Sequence, residues 1–290
     1  GAEGSCIITC SYEARAFGIH TGMRLYEAKK RCPQLIRCAS RPERYVSISR
    51  QIMKSLETIT PDIEIFSVDE AFLDVSHCQS LHGTPIEIGH MVRQQIWQQV
   101  QLPCSIGISG DKTTAKYAAK LEKPNGLTVI EPWNAKQQLK HVPVDHLCGI
   151  GPGISAFLKR YGVTYCGDMQ NIPIGILAKR FGNLGRRLWY MCQGADPSPV
   201  KTHIADPKSM GHGKVLPPGT CDRDTILTYL HHMSEKLAIR LRKNKLCAQR
   251  FSIGLKTKQY GWLGDKVRLT IPIDDGNILY QQCKNIMNNC

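Results

Sequence analysis

The sequence predicts a multidomain α+β chain, and three observations carry that expectation. At 290 residues it is too long for one compact core to be the default, so roughly two to four domains are expected. Strand-like and helical stretches alternate up to about residue 131, after which residues 135–197 read as helices separated by short Gly/Pro breaks. Residues 196–207 (DPSPVKTHIADP) hold three prolines and little apolar content, a good linker, and beyond them residues 208–290 read as a separate α/β unit.

The elements follow in order. Residues 6–10 (CIITC) are β-prone, and residues 24–30 (RLYEAKK) are helical before Pro33. Residues 43–58 place Tyr45, Ile48, Ile52, Met53 and Leu56 at helical spacing. Residues 63–76 (IEIFSVDEAFLDVS) read as two short strands meeting at Ser67-Val68-Asp69-Glu70. Residues 86–100 form an amphipathic helix with Ile88, Met91, Val92, Ile96 and Val100 on its apolar side, and residues 102–109 a strand. Residues 111–121 are helical up to the loop Lys123-Pro124-Asn125-Gly126, and residues 127–130 form a strand. This order around the acidic hairpin predicts one sheet with helices packed on one face. In the last unit, residues 226–243 and 277–287 are helices, and residues 251–257 and 266–271 are alternating strands.

The composition narrows the function classes. The formal charge is +14, a surplus that favours a polyanionic partner. With no basic amphipathic helix bearing a bulky apolar face, nucleic acid is the better expectation than a membrane. No apolar run approaches a membrane span, and the N-terminus lacks the plan of a signal peptide, so a soluble, cytoplasmic protein is expected. Thirteen scattered cysteines with no CxxC pair read as reduced, mostly core thiols rather than a zinc site.

Against this basic background the adjacent carboxylates Asp69 and Glu70 stand out. Burying an unpaired charge is costly, so either something positive faces the pair or the hairpin tip is solvated. Carboxylates inside a basic protein are also where a divalent cation would be held against phosphate. A second group is cationic: Ser11-Tyr12-Glu13-Ala14-Arg15 begins a helix, and Lys116 and Lys123 flank another element. A triphosphate needs Arg for bidentate contact, Lys as a point charge and a Tyr hydroxyl as donor, although singly each residue is an ordinary surface side chain.

A third pattern, Gly149-Ile150-Gly151-Pro152-Gly153, precedes a helix bearing Lys159 and Arg160. Gly149, Gly151 and Gly153 would let backbone N–H groups approach a phosphate beside the positive end of the next helix. This is the hairpin of a helix-hairpin-helix, a DNA-backbone binder, and the plain alternative is a helix-helix turn. Finally, residues 206–290 carry 14 Lys and Arg against 7 Asp and Glu, about +7. There Lys256 and Lys258 alternate with Leu255 and Thr257, so both lysines would share one strand face able to lie along a duplex backbone. A solvated face is the alternative.

Taken together, SVDEAFLD at 67–74, SYEAR at 11–15, KPNG at 123–126 and CGIGPG at 148–153 closely resemble the Y-family translesion DNA polymerases, nearest the bacterial pol IV and archaeal DinB-like branch. Weaker similarity continues in 185–200 and 208–220, in the family's order over essentially the whole chain. The resemblance implies a polymerase right hand: α+β fingers at 1–41 and palm at 42–130, an all-α thumb with a helix-hairpin-helix at 131–197, a linker at 198–206 and an α/β little finger at 207–290. It implies that Asp69 and Glu70 are catalytic metal ligands for two Mg²⁺ ions ~3.5–4 Å apart, with Mn²⁺ able to substitute. It also implies that Tyr12, Arg15 and Lys123 hold the incoming triphosphate, with Lys116 a weaker candidate, and that Asp74 is structural.

The expected activity is low-fidelity, DNA-directed DNA synthesis in damage tolerance, and the alternative is a non-catalytic DNA-binding relative or truncated fragment. A metal-dependent nuclease ranks last because it leaves the triphosphate cluster unexplained. Expected partners are primer-template DNA and a dNTP, with a sliding clamp a further candidate, no membrane, and a monomeric chain. The family's third carboxylate comes from an N-terminal strand, followed by the aromatic residue that excludes ribonucleotides. Only ten residues precede Ser11 here, with Glu3 their sole carboxylate, so a chain truncated at both ends is expected.

Overall fold

The computed structural model describes residues 5–203, 206–217 and 219–288, so Glu3 lies outside the described residues. In chain order the elements are α1 (Tyr12–Ala16), α2 (Leu25–Arg31), α3 (Pro42–Leu56), β1 (Ile63–Ile65), β2 (Ala71–Leu73), α4 (Gln79–His82), α5 (Pro85–Val100), β3 (Ile106–Ser109), α6 (Lys112–Leu121) and β4 (Leu127–Ile130). Then follow α7 (Pro132–Leu139), α8 (Pro152–Lys159), α9 (Ile174–Phe181), α10 (Asn183–Met191), α11 (Arg223–Lys243), β5 (Ala248–Thr257), β6 (Gly261–Ile273) and α12 (Gly276–Asn288). The chain divides into two units, residues 39–205 and residues 1–38 with 206–290.

In the 39–205 unit, the antiparallel hairpin β1–β2 pairs Ile63 with Leu73, Glu64 with Phe72 and Ile65 with Ala71. Helix α5 starts where the sequence instructs it to: Thr84 caps it, Pro85 occupies the first turn, and Thr84 and Glu87 bond reciprocally. Its buried face, Ile88, Val92 and Ile96, packs with Met53 and Leu56 of α3 and with Ile63 of the hairpin. Each such aliphatic contributes about 1.5–3 kcal/mol when fully buried.

The expected single sheet is corrected by the structure. Strand β3 pairs with β4 in parallel, and this ladder is separate from the β1–β2 ladder. The parallel pair is closed by α6, whose contact is so close that a methyl group on Gly107 would stand 1.9 Å from the Ala115 carbonyl oxygen. The predicted 102–109 strand shortens to Ile106–Ser109, because ladder bonds to β4 begin only at Ile106. The helices expected over 135–197 run from Pro132 to Met191, short of the expected end, around a core that includes Leu139, Val144, Leu158, Met169, Leu177 and Leu188. The arm before the glycine hairpin, however, is a single 3₁₀ turn, Val144–His146, rather than a full helix.

Asp196, read as the start of a linker, belongs to the packed unit instead. Arg187 donates to both its carboxylate oxygens at 2.9 and 2.7 Å, and Thr113 Oγ1 donates to it at 2.6 Å. A proline-rich, weakly apolar segment does not reveal such a buried polar anchor.

In the other unit, residues 6–10 form a single bridge, Cys6 with Arg24, rather than a strand. Residues 206–288 pair β5 and β6 as a long antiparallel hairpin, with α11 and α12 packed on each other. Leu227, Leu230 and Cys283 bury against Phe251 and Ile253. Asp222 caps α11 by accepting the Thr225 N–H at 2.8 Å. The cysteines are not mostly core thiols: Cys32, Cys166, Cys192 and Cys283 are buried, while Cys6, Cys38, Cys221 and Cys247 are exposed. The thiol is small enough that leaving it on the surface costs little. No helix among the described residues is long and apolar enough to cross a membrane.

Candidate active site and nucleic-acid interface

The turn between β1 and β2 carries the paired carboxylates. The Phe66 and Ser67 N–H groups both donate to the Glu70 carbonyl at 3.0 Å, closing the tip. Ser67 Oγ reaches Asp69 Oδ1 at 2.7 Å and Glu70 Oε2 at 3.5 Å, so the two side chains converge on one hydroxyl. Asp69 is exposed, and Glu70 is half-buried and ion-paired with the Lys116 ammonium. Both branches of the sequence expectation therefore hold in part: the tip is solvated at Asp69 and faces a cation at Glu70.

Helix α6 supplies that cation and a second one. Lys112 and Lys116 lie one turn apart, so both project toward the hairpin. Lys112 Nζ meets Glu64 Oε2 at 2.5 Å. Each lysine also covers a hairpin aromatic: Lys116 lies 4.7 Å from the Phe66 ring centroid and Lys112 5.6 Å from that of Phe72. The two rings meet edge-on at 5.3 Å. Glu64 also accepts the Lys201 backbone N–H at 2.8 Å. Burial pushes its carboxyl up, but Lys112 and Lys201 together hold it below the usual range. Sequence reasoning missed this network; the i, i+4 lysines were its visible half.

The donor set at the tip fits a hard divalent cation, which takes carboxylate oxygens. Among the described residues no cluster of three His, Cys, Asp or Glu side chains is present, so the tip offers two carboxylates. Asp74 does not join them: its Oδ1 accepts the Ser76 N–H at 3.0 Å and its own N–H bonds the Asp62 carbonyl.

Lys123 is exposed in the loop after α6, where the chain turns through Asn125 at φ 58°. In residues 5–38, Ser11 caps α1, Tyr12 is half exposed, and the Arg15 guanidinium lies 5.1 Å from the Tyr12 ring centroid. Cys10 accepts from Arg15 Nε through its carbonyl at 3.4 Å.

At the glycine hairpin, Gly149 has φ +92°, a conformation that L side chains rarely adopt. Gly151 sits at the N-cap of α8 with no side-chain cap, which leaves the first helical N–H groups free of one. Nothing stands within 4 Å of where a side chain would begin at Gly149, Gly151 or Gly153. An adjoining cavity of about 460 Å³ is lined by Asp145, Ile150, Pro152, Ser155, Ala156 and Lys159. The structure thus gathers the glycines at the start of α8, while Lys159, the last residue of that helix, lines the adjoining cavity.

In the C-terminal hairpin, Lys256 lies on the exposed face of β5, opposite Trp262. Lys258 does not share that face: β5 ends at Thr257, and Lys258 falls in the turn. The expected strand 251–257 ends at Thr257 as β5 does, so placing Lys258 on its face extrapolates one residue past it. The face also carries Arg250, Lys266 and Arg268, which sequence reasoning passed over.

Comparison with known proteins identifies the family. A family model described as impB/mucB/samB matches residues 1–120, its C-terminal domain matches 207–290, and a DNA polymerase-iota thumb domain matches 145–196. The chain is 34% identical over 284 residues to a DNA polymerase IV of Moorella thermoacetica, covering 97% of this chain and 71% of that protein. It is 33% identical over 275 residues to a DNA polymerase IV of Streptococcus pneumoniae serotype 4, covering 95% and 78%. A solved Y-family DNA polymerase chimera, Dbh-Dpo4(243-245)-Dbh, superposes with a TM-score of 0.81 at 26% identity over all of this chain and 83% of the other. With relatives of this identity collinear over most of its length, the chain belongs to the impB/mucB/samB family, the Y-family DNA polymerases.

Proposed function

We propose that this chain is a DNA-directed DNA polymerase of the low-fidelity translesion type, a nucleotidyltransferase that extends a primer 3′-end in DNA damage tolerance. The observation that carries the reading is the collinear match of three family segments along the chain, the first of which contains the Asp69/Glu70 hairpin. Within it, residues 1–41 act as fingers, 42–130 as palm, 131–197 as thumb, 198–206 as linker and 207–290 as little finger.

Asp69 and Glu70 would hold divalent metal ions, which is the cofactor class of the family; we assign Mg²⁺, two ions, with Mn²⁺ able to replace it. When bound, such ions lower the pKa of the attacking hydroxyl and neutralise the pyrophosphate leaving group. The chain's own residues do the rest. Ser67 orients both carboxylates through its hydroxyl. Tyr12, Arg15 and Lys123 bind the triphosphate as donor, fork and point charge. Lys116, whose ammonium is engaged with Glu70, is the weaker phosphate contact. The Gly149–Gly153 hairpin and Lys159 grip the duplex backbone through N–H groups and charge, and Lys256, with Lys258 in the adjoining turn, adds to that grip. Partners are primer-template DNA and dNTP, with a sliding clamp a further candidate; the enzyme acts as a monomer in the cytoplasm.

Primer extension with Mg²⁺ and four dNTPs tests the reading. Extension by the 290-residue chain, lost by about a thousandfold or more in Asp69→Ala/Glu70→Ala, supports it. A wild-type chain that shifts the duplex on a gel but extends nothing would favour the non-catalytic DNA-binding alternative.

A further inference from the structure

Two lysines of α6 reach the carboxylate hairpin from adjacent turns, but they hold their partners differently. Lys112 pairs with Glu64 in a closed setting: the two side chains are 10% and 16% exposed, and Glu64 Oε2 also accepts the Lys201 N–H at 2.8 Å. Lys116 pairs with Oε1 of Glu70, whose side chain is 43% exposed. Among the described residues, Glu70 Oε2 meets only the Ser67 hydroxyl, at a marginal 3.5 Å. The Lys116 ammonium has no acceptor there besides Glu70. Ions in solution therefore reach Glu70 far more readily than Glu64.

Glu70 is at once the partner of an ammonium and half of the carboxylate pair that fits a hard divalent cation. It cannot serve both at full strength. A divalent cation carries twice the charge and takes carboxylate oxygen directly. An ammonium beside it is then a like charge at close range, and the ion pair is driven apart. Lys116 has the means to leave. Its stem is flexible and its head strongly hydrated, and the Phe66 ring centroid, 4.7 Å from the ammonium, offers a second resting place. Glu64 is no part of the carboxylate pair, so Lys112 stays.

We infer that Lys116 is the exchangeable counter-ion of the carboxylate tip. It neutralises Glu70 in the absence of metal and is released when a divalent cation binds, which frees its charge for the triphosphate. The inference rests on the reading of Asp69 and Glu70 as metal ligands, and it adds a coupling between cation binding and a phosphate contact.

The test is amine footprinting of the full chain without DNA, using a short pulse of N-hydroxysuccinimidyl acetate read at each lysine by mass spectrometry. Mg²⁺ is compared with KCl of equal ionic strength, because salt alone loosens exposed pairs. Lys116 labelling is expected to rise severalfold in Mg²⁺, with Lys112 labelling unchanged. In Glu70→Gln, which removes the charge and keeps the shape, Lys116 should label fast with or without Mg²⁺. Mn²⁺ alone, titrated by loss of its free electron-spin-resonance signal, should bind about tenfold tighter to Lys116→Met than to the wild-type chain, since a like charge is gone. Asp69→Asn/Glu70→Gln should lose that binding. Lys116 labelling that ignores Mg²⁺ while the tip binds Mn²⁺, or weaker Mn²⁺ binding by Lys116→Met, would overturn the exchange and leave the metal reading intact. Mn²⁺ binding that Asp69→Asn/Glu70→Gln does not reduce would overturn both.

Discussion

Asp196 shows how much one side chain can decide. It is fully buried, yet its pKa is about 2: burial pushes it up, and hydrogen bonds from Arg187, Thr113 and Ser198 more than reverse that. A folded pKa below the unfolded one contributes stability that is complete above the unfolded value of 3.8 and is lost as pH falls through the folded one. The urea midpoint should therefore hold from neutral pH to about pH 5 and decline between about pH 4 and pH 2, by roughly 2 kcal/mol from this group. Asp196→Asn should remove most of that slope. Asp196→Ala, which strands Arg187 and Thr113, should cost about 2–4 kcal/mol in urea denaturation at pH 7. Nearby Asp111 moves the other way. Burial raises its pKa, and the Asp196 charge adds to this, against the Thr114 hydrogen bonds of its capping role.

Among the elements, α6 organises the most. Asp111 caps it, Thr113 holds Asp196, Lys112 and Lys116 face the hairpin, and its inner face closes on Gly107. The carboxylate tip is therefore placed by a helix that follows it by some forty residues. Gly107→Ala must part α6 from β3, because the new methyl meets backbone rather than a movable side chain. A loss of about 3 kcal/mol in urea denaturation is expected. If the helix positions the tip, extension activity should fall further than stability does, measured under conditions where the variant is still folded.

At the scale of the whole molecule, +14 of charge makes DNA affinity a function of salt. The logarithm of the binding constant should fall linearly with the logarithm of salt concentration, as counterions are released. Lys159→Ala should weaken duplex binding almost equally on unrelated sequences and reduce the slope by about one, measured by anisotropy titrations across a salt series. A sequence-selective loss would mean that the glycine hairpin reads bases rather than backbone.

The sequence alone determined the order of parts. Motifs such as SVDE and CGIGPG name their chemistry through residue types at fixed spacing, and apolar periodicity located α3, α5, α11 and the hairpin with little error. Those signals are local, since a strand or helix face is written in residues within a few turns of one another. The tertiary structure alone decided the partners: Lys116 with Glu70 across 46 residues, Thr113 with Asp196 across 83, and Lys201 with Glu64 across 137. It also split the expected sheet into two ladders and took Asp196 out of the linker. Charge pairing and ladder hydrogen bonding depend on distance in space, which no local pattern encodes, so the chemistry of the carboxylate tip was legible while the cation that faces it was not.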